Sequence, residues 1–276
     1  MPARARRTHR RTHRVARDAP KAAGPKQRRF RAGRLGLAVL LCLAGGALAF
    51  YLSLPSVAAL EKTNPKTTAL IEARAAEARE HGRAARRNQH WVPLGRISPW
   101  LVNAVVNSED ARFYLHDGID PIEIGRAAET AFERGRLGRG ASTLTQQLAK
   151  NLWLGEERSL LRKLKEVVLA HRLEALGKDR ILELYLNVVE WGDGIYGADA
   201  ASRVWFKKPA SQILPEEAAV LAAMLPAPRK RNPARPSARL RQRSYEILRL
   251  FQVYKELPPE GVEQAREALS GLVGPP

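Results

Sequence analysis

Residues 108–120 (SEDARFYLHDGID) concentrate side chains able to do chemistry: adjacent carboxylates Glu109 and Asp110, the aromatic pair Phe113 and Tyr114, His116, Gly118 and a third acid, Asp120. A carboxylate beside aromatic surface is pushed toward neutrality and can act as a general base. Acids at a helix end are most often solubilising charges, but solubility does not require the histidine, the glycine and the third acid. A second block, residues 139–151 (RGASTLTQQLAKN), carries Ser142, Thr143, Thr145, Gln146, Gln147, Lys150 and Asn151. Gln146 with Lys150 and Gln147 with Asn151 are i, i+4 pairs that share a face, with Leu144 and Leu148 as the expected buried side. Exposed helices favour Glu and Lys. Amides and hydroxyls instead hydrogen-bond neutral polar ligands such as sugars and peptides. In a third block, residues 158–166 (RSLLRKLKE), Arg162 and Lys163 precede Glu166 by one helical turn, a spacing that a plain salt-bridge ladder shares. Lys150, Arg158, Arg162, Lys163 and Lys165 nevertheless bring five cations into sixteen residues. Such a cluster can hold phosphate oxygens, Arg by bidentate forks and Lys as a point charge. No Walker loop or GxGxxG accompanies it, so a nucleotide is not the favoured phosphate.

Helices must position these blocks. Ser98 as N-cap, Pro99 at the first helical position and the stripe Leu101, Val102, Val105, Val106 predict a helix over 98–107 that presents Glu109 and Asp110 at a lip. Residues 121–133 read as helix, followed by the glycine- and arginine-rich loop 135–140. Thr143 and Gln146 have capping-box spacing for a helix over 143–151. Residues 159–176 are amphipathic, with Leu160, Leu161, Leu164, Val167, Val168 and Leu173 expected inward. Gly177 stops that helix and Asp179 caps the next, over 180–187. Residues 192–206 begin as a glycine-rich loop and become a helix. The alanine- and leucine-rich 215–225 should be the buried core helix, with further helices over 237–254 and 260–269. Upstream, 67–87 reads as a polar helix with a thin stripe of Leu70, Ile71, Ala75 and Ala78, and strand character is confined to Trp91 and Val92. Few segments alternate with period two and no internal repeat is visible, so the fold is mainly α.

The chain has 276 residues and a formal charge of +19, of which residues 1–34 hold +12: thirteen Lys or Arg against Asp18. That tail is expected to be disordered. Residues 35–54 follow without a charge, long enough to span a bilayer as a single transmembrane helix. A cleaved signal peptide is the alternative, but the apolar run is longer than usual for one. The basic tail places the N-terminus in the cytoplasm and everything after Leu54 on the outer side of the membrane. Cys42, the single cysteine, lies in the apolar run, which excludes an intrachain disulfide and a Cys-based metal site. The helical spacing of His9 and His13 reads as chance in an arginine-dense tail. The domain boundaries expected are a basic cytoplasmic tail at 1–34, the transmembrane helix at 35–54, a juxtamembrane helix and linker at 55–90, and a catalytic domain at 91–276.

An anchored domain with a carboxylate base, amide-rich sugar contacts and a cationic cluster fits glycosyl transfer from a lipid-linked sugar diphosphate. At these residues the chain resembles the family 51 glycosyltransferases, the peptidoglycan glycosyltransferases, and among them the single-domain monofunctional biosynthetic peptidoglycan transglycosylases. The resemblance covers about residues 91–250. It rests on E-D-x-x-F-x-x-H-x-G-x-D at 109–120, G-A-S-T-L-T-Q-Q-L-A-K-N at 140–151, R-K-x-x-E at 162–166, I-L-E-L-Y-L-N at 181–187 and A-A-V-L-A-A-M-L-P-A-P at 218–228. Ala141 stands where many relatives have a second glycine. No transpeptidase module is expected, because the sequence stops at Pro276.

The resemblance implies a lysozyme-like helical large lobe plus a smaller jaw lobe that dips into the membrane. It implies that the enzyme polymerises lipid II into linear peptidoglycan strands for cell-wall biosynthesis, at the bacterial inner membrane with its catalytic domain in the periplasm. Glu109 would match the catalytic base, taking the proton of the acceptor N-acetylglucosamine 4-hydroxyl while undecaprenyl diphosphate leaves with inversion. Glu166 would match a second glutamate that assists the leaving diphosphate, directly or through a divalent cation such as Mg or Mn. Which metal acts, if any, is left open, and no organic cofactor is implied. Lys150, Arg158, Arg162 and Lys163 would hold the diphosphate, and Ser142, Thr143, Gln146, Gln147 and Asn151 would line the cleft. Asp110, Phe113, His116, Gly118 and Asp120 would support Glu109. The implied partners are lipid II, the growing glycan, the bilayer and other cell-wall synthases, with no nucleic acid.

Two other classes compete. A lytic hydrolase on a lysozyme-like fold would use Glu109 as general acid on a glycosidic oxygen, but it needs no cationic diphosphate cluster. A basic, membrane-tethered nucleic-acid binder would account for the tail, yet leaves the three polar blocks unexplained; the tail binds anionic headgroups equally well.

Overall fold

The computed structural model describes residues 25–134, 142–155 and 159–276. It is mainly helical and divides into two units, Met1–Ser53 and Leu54–Pro276. In the first, α1 (Pro25–Ser53) contains the uncharged run, and from Gly36 onward its side chains are exposed almost throughout, Leu40, Leu41, Leu43 and Leu52 by 62–69%. Large apolar side chains left bare around a whole helix have no soluble packing partner, and the helix passes for a membrane span by length and composition.

The second unit includes residues 55–90, expected as a juxtamembrane helix and linker. There α2 (Ala69–Glu80) is capped by Thr68, whose hydroxyl accepts from the Ile71 amide, and it buries Leu70 and Ile71 against Tyr196. The helix is shorter than the sequence suggested. It closes at His81, whose Nδ1 lies 2.7 Å from the Glu77 carbonyl. The expected strand at Trp91 and Val92 is absent. The Asn187 side chain takes both the amide and the carbonyl of Val92, at 2.9 Å each, and so replaces a ladder partner. The pairing strand is instead β1 (Asn88–Gln89), parallel to β3 (Ile195–Tyr196), which pairs antiparallel with β2 (Glu190–Gly192). The β2–β3 turn relies on Gly194 at φ +72°.

The three polar blocks are carried by α3 (Pro99–Glu109), α4 (Pro121–Arg134), α5 (Leu144–Ala149) and α6 (Leu160–Leu173) and the turns between them. They are followed by α7 (Lys178–Val188), α8 (Ala198–Phe206), α9 (Pro215–Met224), α10 (Ala238–Val253) and α11 (Pro259–Val273). The core helix is α9, whose Ala218–Met224 run is buried throughout and packs on α3 and α10. Trp100 of α3 meets Phe251 of α10 edge-on at 5.7 Å. On the other side, α5 packs on α6 and α7.

Three expectations about helix ends and faces are corrected. Ser98 sits at the N-cap position of α3, but its hydroxyl donates to the Ile213 carbonyl at 2.6 Å instead of capping. Asp179 lies in the first turn of α7, and Gly177 holds the capping position. On α6 the leucines of the first turns point outward: Leu160 is 92% exposed and Leu161 and Leu164 about half, whereas Glu166 is buried. Facing Arg162 and Glu166 into the protein turns those leucines to the surface.

Candidate active site

Glu109 is the last residue of α3, and Asp110 closes the helix. The half-buried Glu109 lines a cavity of 180 Å³ together with Asn107, Ser142 and Thr143. The Gln147 amide donates to Glu109 Oε2 at 3.0 Å, and the buried Tyr185 hydroxyl donates to Gln147 Oε1 at the same distance. The phenol therefore fixes the amide so that its N–H faces the carboxylate. Burial pushes the Glu109 carboxyl up. The Gln147 hydrogen bond and the charges of Arg243, Arg231 and Lys150 oppose that shift without cancelling it. A raised but ionisable carboxyl at a cavity wall is suited to general-base work.

A second cavity, of 320 Å³, is lined by Ser142, Gln146, Gln147, Lys150, Arg162, Lys163 and Glu166. Ser142 belongs to both cavities, and Gln147 spans from the second to Glu109. Glu166 is 4% exposed and bonds Arg162 and, at 3.0 Å, Lys163. Lys163 also donates to Ser142 Oγ at 3.0 Å. Burial, with Arg162 and Lys150 adding to it, pushes the Lys163 ammonium below its ordinary range. Arg162 and Lys163 both pair with the one buried Glu166 carboxylate, and Lys150 lines the same cavity.

The supporting residues tie the first block to the second. Asp110 accepts from His116 Nε2 at 3.0 and 3.1 Å and from the Leu144 amide at 2.9 Å, so one carboxylate fixes the histidine and the start of α5. Thr143 and Gln146 form the expected capping box, and the Thr143 hydroxyl donates to the Gly118 carbonyl at 2.7 Å. Asp120 caps α4 through the amides of Ile122 and Glu123 and pairs with Arg112 at 2.9 Å. Against the burial that raises it, these amides and that guanidinium hold its carboxyl below the usual range. Phe113 is fully buried, edge-on to His116, under the Lys178 ammonium at 4.6 Å. Gly118 has φ +82°, and a Cβ there would stand 3.0 Å from the Ala170 backbone. Gly118→Ala is therefore expected to destabilise the fold by about 1–3 kcal/mol, read as a lowered melting temperature.

Of the expected cleft residues, Ser142, Thr143, Gln146 and Gln147 line these two cavities. Asn151 is 5% exposed and sits in the π-helical turn Lys150–Leu154 that continues α5. Thr143 and Gln146 are almost wholly buried and also bond each other. Arg158 and the 135–140 loop lie outside the described residues.

Both Glu166 oxygens are committed to Arg162 and Lys163, and Lys150 adds a third positive charge. Among the described residues no group of three His, Cys, Asp or Glu is placed to hold a metal.

Tyr185, Arg231 and Arg243 were not singled out from sequence. Tyr185 lay within a quoted motif without a role. Arg243 donates to the Ser108 carbonyl at 2.9 Å and, with Arg231, bears electrostatically on Glu109 from more than a hundred residues away. Removing the Gln147 amide has a definite sign. Gln147→Ala frees Glu109 from the hydrogen bond that lowers its pKa, so the acidic limb of the pH–rate profile should move to higher pH, with activity recovering as pH rises. An unmoved limb would sever Gln147 from the base.

Residues 76–252 match the family model described as Transglycosylase. Curated relatives include the biosynthetic peptidoglycan transglycosylase of Thiobacillus denitrificans, 48% identical over 189 residues, which are 68% of this chain and 81% of that one. The protein of the same name from Bordetella pertussis is 41% identical over 240 residues, 85% of this chain and 99% of that one. Penicillin-binding protein 1A of Aquifex aeolicus is 39% identical over 234 residues, 83% of this chain but 32% of its own length.

Proposed function

The chain belongs to the transglycosylase family, and from that membership we propose that it is a peptidoglycan glycosyltransferase that polymerises lipid II into linear glycan strands. The observation that carries the reading is the Gln147 bridge: one amide joins the Glu109 carboxylate to the cavity of Lys150, Arg162 and Lys163. Base and anion site are thus held as neighbours, which the reaction needs. Glu109 takes the proton of the acceptor 4-hydroxyl, and the oxygen attacks C1 of the donor sugar from the face opposite the leaving group. The C1–O bond to the diphosphate breaks and its electron pair departs with undecaprenyl diphosphate, inverting the centre. Lys150, Arg162 and Lys163 bind the developing charge on the diphosphate, with Arg158 completing the set. Glu166 holds Arg162 and Lys163 in register.

The helix α1 anchors the enzyme in the cytoplasmic membrane. The basic residues before it keep the N-terminus inside, and the catalytic unit lies on the outer face. The bare leucines of α6, with Ile122, Ile124 and Phe132 of α4, supply apolar surface for a small jaw lobe that enters the bilayer beside a lysozyme-like large lobe. Other cell-wall synthases are the natural partners of such an enzyme. Incubating the full chain with lipid II in detergent tests the reading. Growth of polymer with release of undecaprenyl diphosphate is expected, whereas shortening of preformed glycan without growth would assign a lytic activity instead.

A further inference from the structure

A cavity of 310 Å³ opens between the C-terminal turns of α2, the segment after it, the β2–β3 turn and Arg229. It shares no residue with the cavities of Glu109 and Glu166. The ring of Tyr196, packed on Leu70 and Ile71 and fully buried, forms part of its wall. The Tyr196 hydroxyl has no hydrogen-bond partner among the described residues. Native proteins almost always supply a partner to a buried O–H, so an acceptor is missing here. Desolvation, with Glu190 adding to it, raises the phenol far above its ordinary range and keeps it a neutral donor.

The charges that line the cavity say what the acceptor is. Glu77 is committed to Arg229, at 2.8 and 3.0 Å, and to Arg74 at 3.3 Å, while Asp193 stands 3.7 Å from Arg229. Those two arginines are compensated. Arg83 and Arg86 also line the cavity, and neither side chain makes an ion pair or hydrogen bond with a described residue. Arg86 is held at the rim by the turn itself. A Cβ at Gly194 would stand 2.5 Å from Arg86 Cβ, so only glycine admits this approach, and the Asn88 amide donates to the Gly194 carbonyl at 2.7 Å. The Arg83 and Arg86 guanidinium groups, both on exposed residues, line the same cavity as the neutral buried donor, a set that disfavours a cation and matches planar or tetrahedral oxygens.

We propose that this cavity is a second oxyanion site, taking a carboxylate or phosphate group whose oxygens accept from Tyr196 Oη and from the guanidinium groups of Arg83 and Arg86. The site stands apart from the catalytic reading and does not depend on it. Isothermal titration of the full chain in detergent tests it with three probes: an N-acetyl dipeptide with a free C-terminal carboxylate, the same dipeptide as its amide, and inorganic phosphate. Saturable binding of the free acid but not the amide assigns a peptide carboxylate, and binding of phosphate alone assigns a phosphate group. In either case the Arg83→Gln, Arg86→Gln double variant should weaken binding by about tenfold or more. Tyr196→Phe removes only a hydroxyl without a partner, so without probe it should melt at or above the wild-type temperature, and it should weaken the same binding. Equal binding of acid and amide with no phosphate binding, oxyanion binding unchanged in the double variant, or no saturable oxyanion binding would overturn the proposal.

Discussion

Glu109→Gln is expected to abolish polymerisation, cutting turnover by at least about 10²–10⁴-fold, the range typical of a lost general base. The amide keeps the size and the hydrogen-bonding capacity of the side chain, so Tyr185, Gln147 and the end of α3 stay in place. Stability should move the other way. Burial raises the folded-state pKa of Glu109 above its unfolded value. The ionised form therefore costs stability above the folded pKa, and that cost disappears as pH falls below the unfolded one. At pH 8 the glutamine variant should accordingly melt at or slightly above the wild-type temperature. Wild-type turnover in Glu109→Gln, measured as undecaprenyl diphosphate release, would remove Glu109 as the base. In the wild type, the same pKa direction places the acidic limb of the pH–rate profile above that of an ordinary glutamate.

Glu166→Gln carries the second large effect, and two physical arguments pull it in opposite directions. Removing a negative charge from a site with Lys150, Arg162 and Lys163 should tighten anion binding by Coulomb attraction alone. Losing the buried carboxylate also frees Arg162 and Lys163 from fixed geometry, and pre-organised charge stabilises a transition state more than mobile charge does. Positioning should dominate: kcat is expected to fall by about 10²-fold while KM stays level or drops, the pattern of lost transition-state stabilisation. The fold should lose only about 1–2 kcal/mol, less than for a fully buried pair, because Arg162 and Lys163 can reach water. A tenfold rise in KM at unchanged kcat would instead make Glu166 a simple ground-state binding residue.

Much of the site was legible because short-range rules write it directly. The Thr143–Gln146 capping box and the acids at the end of α3 depend on spacings of a few residues, and each stands in the structure. The β2–β3 hairpin was not legible. Its strands are two and three residues long, too short to show alternation, and one of its ladder partners lies a hundred residues earlier at Asn88. The outward leucines of α6 misled for a related reason: hydrophobic periodicity assumes that apolar means inside, and a buried Glu166 with its cations takes that face instead.

By itself the sequence determined the charge-free span of α1, the mainly helical class, the candidate base and the cationic cluster, since all of these are set by composition and by neighbours within one or two turns. Only the tertiary structure decided what surrounds Glu109. Packing of α9 between α3 and α10 brings Arg243 to Ser108, and Arg231 follows the end of α9 toward the same carboxylate. Packing of α5 on α7 sets the Tyr185 hydroxyl on Gln147. Contacts across such separations arise from how helices bury their faces against one another, and no local pattern in the chain encodes that arrangement.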